Sequence, residues 1–81
     1  MTLLSLKSVY EDEVNGITEQ SIDDITLNID EVSSFNPSTE EGHTTVTMKN
    51  GISYELVCGY EEFLGLIIKY SDLPIVRINC N

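Results

Sequence analysis

The side chains with the reactivity for catalysis or metal binding are one histidine, His43, two cysteines, Cys58 and Cys80, and several adjacent acidic pairs. His43 lies in a loop, Asn36 to Thr44, between Gly42 and two threonines. A general base needs a neighbour that holds it in place, and no Ser or Cys here stands in a nucleophile context such as G-x-S-x-G. No phosphate-cradling or dinucleotide glycine pattern occurs either. The cysteines are not in C-x-x-C spacing, and His43 is their only imidazole companion, so a zinc site would lack ligands. They read as two buried or half-buried thiols, kept reduced in a cytosolic protein. Asp23-Asp24, Asp30-Glu31, Glu40-Glu41 and Glu61-Glu62 suggest a carboxylate dyad or a metal. Adjacent strand residues, however, point to opposite faces, and calcium-loop spacing is absent. Solvated charge is the better account, and the expectation is a non-enzyme with no catalytic residue, metal or cofactor.

The elements that would position these groups follow from periodicity. Residues 2–9 alternate, with Leu4 and Leu6 on one face, and predict a strand. Residues 10–23 have no clean period and contain Asn15-Gly16, so they read as a solvated acidic loop or a wide hairpin. Residues 24–35 alternate again through Ile25, Leu27 and Ile29, are interrupted by Asp30-Glu31, and resume at Val32 and Phe35 before Asn36-Pro37-Ser38.

The clearest local signal is a pair of β-rich runs, Thr44 to Met48 and Ile52 to Val57, separated by Lys49-Asn50-Gly51. Asn-Gly favours a type I′ turn, in which both central residues need φ > 0. This predicts a hairpin burying Val46, Met48, Ile52, Tyr54 and Leu56, with Thr45, Thr47, Ser53 and Glu55 facing water or a partner. Gly59 then caps a helix over Tyr60 to Tyr70, with Glu61 and Glu62 in its first turn and Lys69 in its last, as the helix dipole favours. Tyr60, Phe63, Leu66, Ile67 and Tyr70 form one stripe with Leu64 at its edge, while Ile68 falls on the opposite side beside Gly65. Asp72-Leu73-Pro74 ends the helix, and Ile75 to Cys80 reads as a final strand. The fold class is α+β, with a small antiparallel sheet, an Asn-Gly hairpin and one covering helix. Its expected core is Leu4, Leu6, Ile25, Leu27, Ile29, Val32, Val46, Met48, Tyr54, Leu56, Phe63 and Ile67.

At 81 residues the chain is one domain, and so small a core often borrows burial from a partner. Fourteen acidic residues against four basic ones give a net charge of -10. Ten of the acids lie in residues 1–45 with Lys7 alone opposing them. Direct binding to nucleic acid or anionic lipid needs Lys and Arg and is not expected. The start of the chain lacks the basic and apolar regions of a signal peptide, and the longest apolar stretch, Phe63 to Ile68, is too short to cross a bilayer. The expected location is the cytoplasm, or the host cytoplasm for a phage-encoded protein.

Ile25-Thr-Leu-Asn28-Ile-Asp30-Glu-Val32-Ser-Ser-Phe35-Asn-Pro37, Thr44-Thr-Val46-Thr-Met48-Lys-Asn50-Gly51-Ile-Ser-Tyr54 and Tyr60-Glu61-Glu62-Phe-Leu64 together resemble the small flagellar and swarming-motility protein family and its phage and bacterial relatives. The resemblance spans residues 25–64 and implies a small non-enzymatic β-sheet scaffold, with no catalytic residues to carry over. A fainter likeness to Sm-like domains, through Val46 to Gly51 and Gly59 to Phe63, lacks the basic residues an RNA contact would need.

The function expected is protein interaction, as a homo-oligomer or with a larger protein. The alternative is a phage-type inhibitor of a nucleic-acid-handling enzyme, its acidic face mimicking phosphates. A small enzyme or sensor using His43 or the tyrosines is a third reading. Candidate partner-binding residues are Glu11, Asp12, Glu13, Glu19, Asp23, Asp24, Asp30, Glu31, Glu40 and Glu41, with Gly65 and Ile68 on the helix.

Overall fold

Alternation in the first residues continues much further than the apolar pattern does. The computed structural model describes residues 2–71, and in it β1 (Leu3–Val14) and β2 (Ile17–Asn28) pair antiparallel along their full lengths. Their connection is the two residues Asn15 and Gly16, at φ 55° and 78°, the positive pair that a type I′ turn requires. Residues 10–23 are therefore a regular, tight two-stranded ribbon, not a loop or wide hairpin. The apolar period vanishes there because both faces of the ribbon are exposed, leaving no core to select for it. Twelve extended residues span ~40 Å, which accounts for most of the 47 Å long axis.

The alternation over 24–35 is divided where Asp30-Glu31 interrupts it. After β2 comes a 3-10 turn, Ile29–Glu31, capped by Asn28 Oδ1 accepting from the Asp30 amide at 3.1 Å. Then follow β3 (Val32–Pro37), β4 (Thr44–Met48), β5 (Ser53–Leu56) and α1 (Tyr60–Tyr70). The acidic pair that interrupts the alternation is thus the turn itself. A register shift between Val32 and Ser34 lets both Val32 and Phe35 pack against the core.

Among the described residues five strands form one antiparallel sheet in the order β2-β1-β5-β4-β3. β4 and β5 pair, but not through the expected type I′ turn at Asn50-Gly51. Gly51 alone is at positive φ, 87°; its amide donates to the Met48 carbonyl at 2.9 Å, and the Met48 amide to the Ile52 carbonyl at 2.9 Å. Hydrophobic register explains the difference. A two-residue turn at Asn50-Gly51 would set Val46 opposite Glu55, whereas the observed pairing sets Val46 opposite Tyr54 and Thr44 opposite Leu56. A slip of one residue would send this buried set to the wrong face, so burial overrides the local turn preference. Ile52, expected inside, lies in the connection and is 50% exposed.

One face of the sheet holds the core, where Leu27, Ile29, Val46, Met48 and Leu56 meet Phe63 and Ile67 from the helix. The rest of the expected core, Leu4, Leu6, Ile25, Val32 and Tyr54, packs against it partly buried, together with Phe35 and Cys58. Phe63 is fully buried and meets Phe35 edge-on at 5.0 Å between ring centres. Among the described residues two polar ones are also fully buried and both are satisfied: Ser8 Oγ donates to the Glu55 carbonyl at 3.1 Å, and Thr44 Oγ1 to the Cys58 carbonyl at 2.7 Å. Gly59 caps α1, with Glu61 and Glu62 at its start and Lys69 near its end. The helix stop at residues 72–74, the strand Ile75 to Cys80 and Cys80 itself lie outside the described residues.

Candidate functional site

The β3–β4 loop closes on itself before it closes on the sheet. Ser38 donates its amide to the His43 carbonyl at 3.1 Å, and His43 its amide to the Glu40 carbonyl at 3.2 Å. Gly42, at φ 81°, supplies the left-handed backbone that the reversal needs. Ser38 Oγ accepts from the Glu40 amide at 3.2 Å and donates to Glu55 Oε1 at 2.7 Å. His43 Nδ1 stands 3.3 Å from the other carboxylate oxygen, Glu55 Oε2, outside hydrogen-bond geometry. Glu55, expected to face water or a partner, is half-buried and anchors the loop. The Ser38 hydrogen bond is the main reason its carboxyl is held below the usual glutamate range, with His43 adding to it against the opposing effect of burial.

These three side chains have the types of a nucleophilic relay but a different order. A nucleophilic serine gives its proton to histidine, which the acid orients. Here serine and histidine both face the carboxylate, an arrangement that holds a loop in place. No group of three or more His, Cys, Asp or Glu among the described residues is placed to bind a metal ion. Burial, and secondarily Glu62, raises the Cys58 thiol above its ordinary value, so it stays protonated and weakly nucleophilic. No helix among the described residues is long and apolar enough to cross a membrane.

Below this loop, on the sheet face away from the helix, lies a cleft of about 530 Å³. Val9 and Glu11 from β1, Gln20 and Ile22 from β2, Thr39, Glu40 and His43 from the loop, and Glu55 from β5 line it. Gln20 Nε2 donates to Glu11 Oε1 at 3.0 Å across the ribbon. Of these residues Glu11 and Glu40 were expected as partner-binding carboxylates, Glu55 as facing water or a partner, and His43 as a reactive side chain in a loop. Strand register alone brings the others together, and no spacing in the chain announces it.

The acidic candidates divide by strand parity. Pairing puts Asp12, Glu19 and Asp23 on the core side of the ribbon plane, with Glu11, Glu13 and Asp24 on the other. Asp12 and Glu19 are direct cross-strand partners, whereas Asp24 forms an ion pair with Lys7. Asp30 and Glu31 lie in the 3-10 turn, and Glu40 and Glu41 in the β3–β4 loop. Gly65 and Ile68 are on the exposed side of α1, Ile68 being 50% exposed. No single face carries all ten carboxylates.

Fold and site together define a small α+β domain with an acidic β-ribbon extending from its sheet. Comparison with protein-family models, curated proteins and solved structures finds no match to this chain.

Proposed function

We propose that this protein is a non-enzymatic, acidic protein-interaction module, working as an oligomer or bound to a larger protein, and that the β1–β2 arm is its docking element. One observation carries the reading. Among the described residues, β1 pairs with β5 only at Ser8 and Val9, so Tyr10–Val14 pair with β2 alone. An isolated two-stranded ribbon is marginal in water, and this one exposes Val14 at 48%, Ile17 at 65% and Ile22 at 61%. Such side chains on an uncovered arm gain burial when a partner closes over them. A phosphate-mimicking inhibitor needs its carboxylates gathered on one face, and their split between two faces favours the interaction reading over it.

Trimming the arm tests this. Deleting residues 11–14 and 17–20 joins Tyr10 to Asn15 and Gly16 to Ser21, which keeps the turn and a native cross-strand pair. The full chain should associate with itself in light scattering or retain a defined protein in affinity purification from its native host. The trimmed chain should unfold cooperatively but lose that association. A full chain that is monomeric and retains nothing, or a trimmed chain that associates as well, overturns the reading.

A further inference from the structure

Beyond Val9 and Glu55 β1 and β5 share no ladder pair. Among the described residues the backbone of Tyr10–Val14 therefore has one unpaired edge, a template on which another strand can add. Among the described residues β2 has an unpaired edge as well, but it is the β1 edge that faces β5, whose Glu55 lines the cleft with Glu40 and His43 of the β3–β4 loop. Side chains of a strand added there alternate between the two sheet faces, and those on the cleft side meet a particular chemistry. Val9 and Ile22 supply apolar surface, while Glu11, Glu40 and Glu55 supply carboxylates, with no Lys or Arg among the lining residues. An apolar floor with an acidic rim suits a long side chain that has an aliphatic stem and a cationic head. The charge of the whole chain, -10, would steer such a partner inward.

We infer that the free β1 edge from Tyr10 to Val14 takes up an extended, basic segment of a protein partner, and that the adjoining cleft receives one of its lysine or arginine side chains. This rests on the arm being the docking element and adds the chemistry of what docks. Both Glu55 oxygens face loop side chains, Oε1 Ser38 and Oε2 His43, whereas Gln20 engages only one oxygen of Glu11, so Glu11 and Glu40 are the contacts to test.

The probe is a short synthetic peptide of alternating lysine and valine, labelled for fluorescence anisotropy and titrated at physiological ionic strength. Two double substitutions remove equal charge from opposite faces of the arm region: Glu11→Gln with Glu40→Gln on the cleft side, and Asp12→Asn with Glu19→Gln on the other. The cleft-side pair should weaken binding about tenfold and the other pair less than about twofold, since two partly exposed ion pairs are at stake in the first alone. Amide shifts on titration should centre on Tyr10–Val14 and His43. Equal weakening by both pairs would show attraction to bulk charge and overturn the inference, as would absent binding or shifts centred on the outer edge of β2. If trimming the arm abolishes association with the native partner but the cleft-side pair leaves it intact, this inference fails and the docking role of the arm stands. If trimming leaves the association unchanged, the docking role itself fails.

Discussion

Ser38 Oγ donates to Glu55 Oε1 at 2.7 Å, joining the β3–β4 loop to the strand at the centre of the sheet. The hydroxyl also accepts from the Glu40 amide, so one small side chain both shapes the loop and anchors it. Ser38→Ala removes a hydrogen bond to a charged acceptor that is partly open to solvent. The expected cost is about 1 kcal/mol in urea unfolding, with Ser38→Thr recovering most of it. An alanine variant as stable as the parent would mean that the anchor contributes nothing.

The same contact predicts a pH dependence. The Glu55 carboxyl has its folded pKa lowered, first by Ser38 and then by His43, so its contribution to stability is present above the ordinary glutamate value and is lost as pH falls through the folded value. Compared with Glu55→Gln, the parent should therefore hold a constant stability advantage above about pH 5 that shrinks below about pH 4. Urea midpoints of both proteins across that range measure it. An advantage that does not change with pH would contradict the assignment.

Gly16 and Gly51 both sit at positive φ, 78° and 87°, with open space where a Cβ would be, so strain alone decides the effect of alanine at either position. Each substitution should cost about 1 kcal/mol locally. Their readouts should nevertheless differ. Gly51 joins two strands that carry core residues, and its substitution should lower the global unfolding midpoint. Gly16 joins the tips of an arm with nothing packed behind it, so its substitution should speed hydrogen exchange between Tyr10 and Ile22 with little change in global stability. Equal global effects would show that arm and core unfold together.

Legibility in the sequence followed burial. The alternation of Leu4 and Leu6 and the stripe of Phe63 and Ile67 exist because each has a dry side and a wet side, and both elements appear where the pattern places them. The ribbon from Tyr10 to Ile22 has no dry side, so Glu11-Asp12-Glu13 carries no apolar period and only Asn15-Gly16 marks its turn. Asn50-Gly51 shows the reverse: the local signal favoured a type I′ turn, but the alternation of Val46, Tyr54 and Leu56 already required a register that such a turn cannot provide. The cleft was illegible for another reason. Glu11, Glu40 and Glu55 are far apart in the chain, and their meeting depends on β1 lying next to β5, a topological fact with no local signature.

Gly65 gives the helix a separate test, independent of the arm. It lies on the exposed side of α1 near Ile68, and a Cβ built there would meet nothing within 4 Å. Glycine inside a helix costs about 1 kcal/mol relative to alanine, so Gly65→Ala should raise the unfolding free energy by that amount in an isolated chain. A second surface packed closely on Gly65 and Ile68 would reverse the balance, because the added methyl group would separate it from the helix backbone. Gly65→Ala should then stabilise the fold yet weaken self-association in light scattering, and Ile68→Ser should weaken association while changing stability by less than about 0.5 kcal/mol, as exposed substitutions do. If both variants associate as the parent does, the outer helix face takes no part in assembly, and docking must be sought on the β1–β2 arm alone.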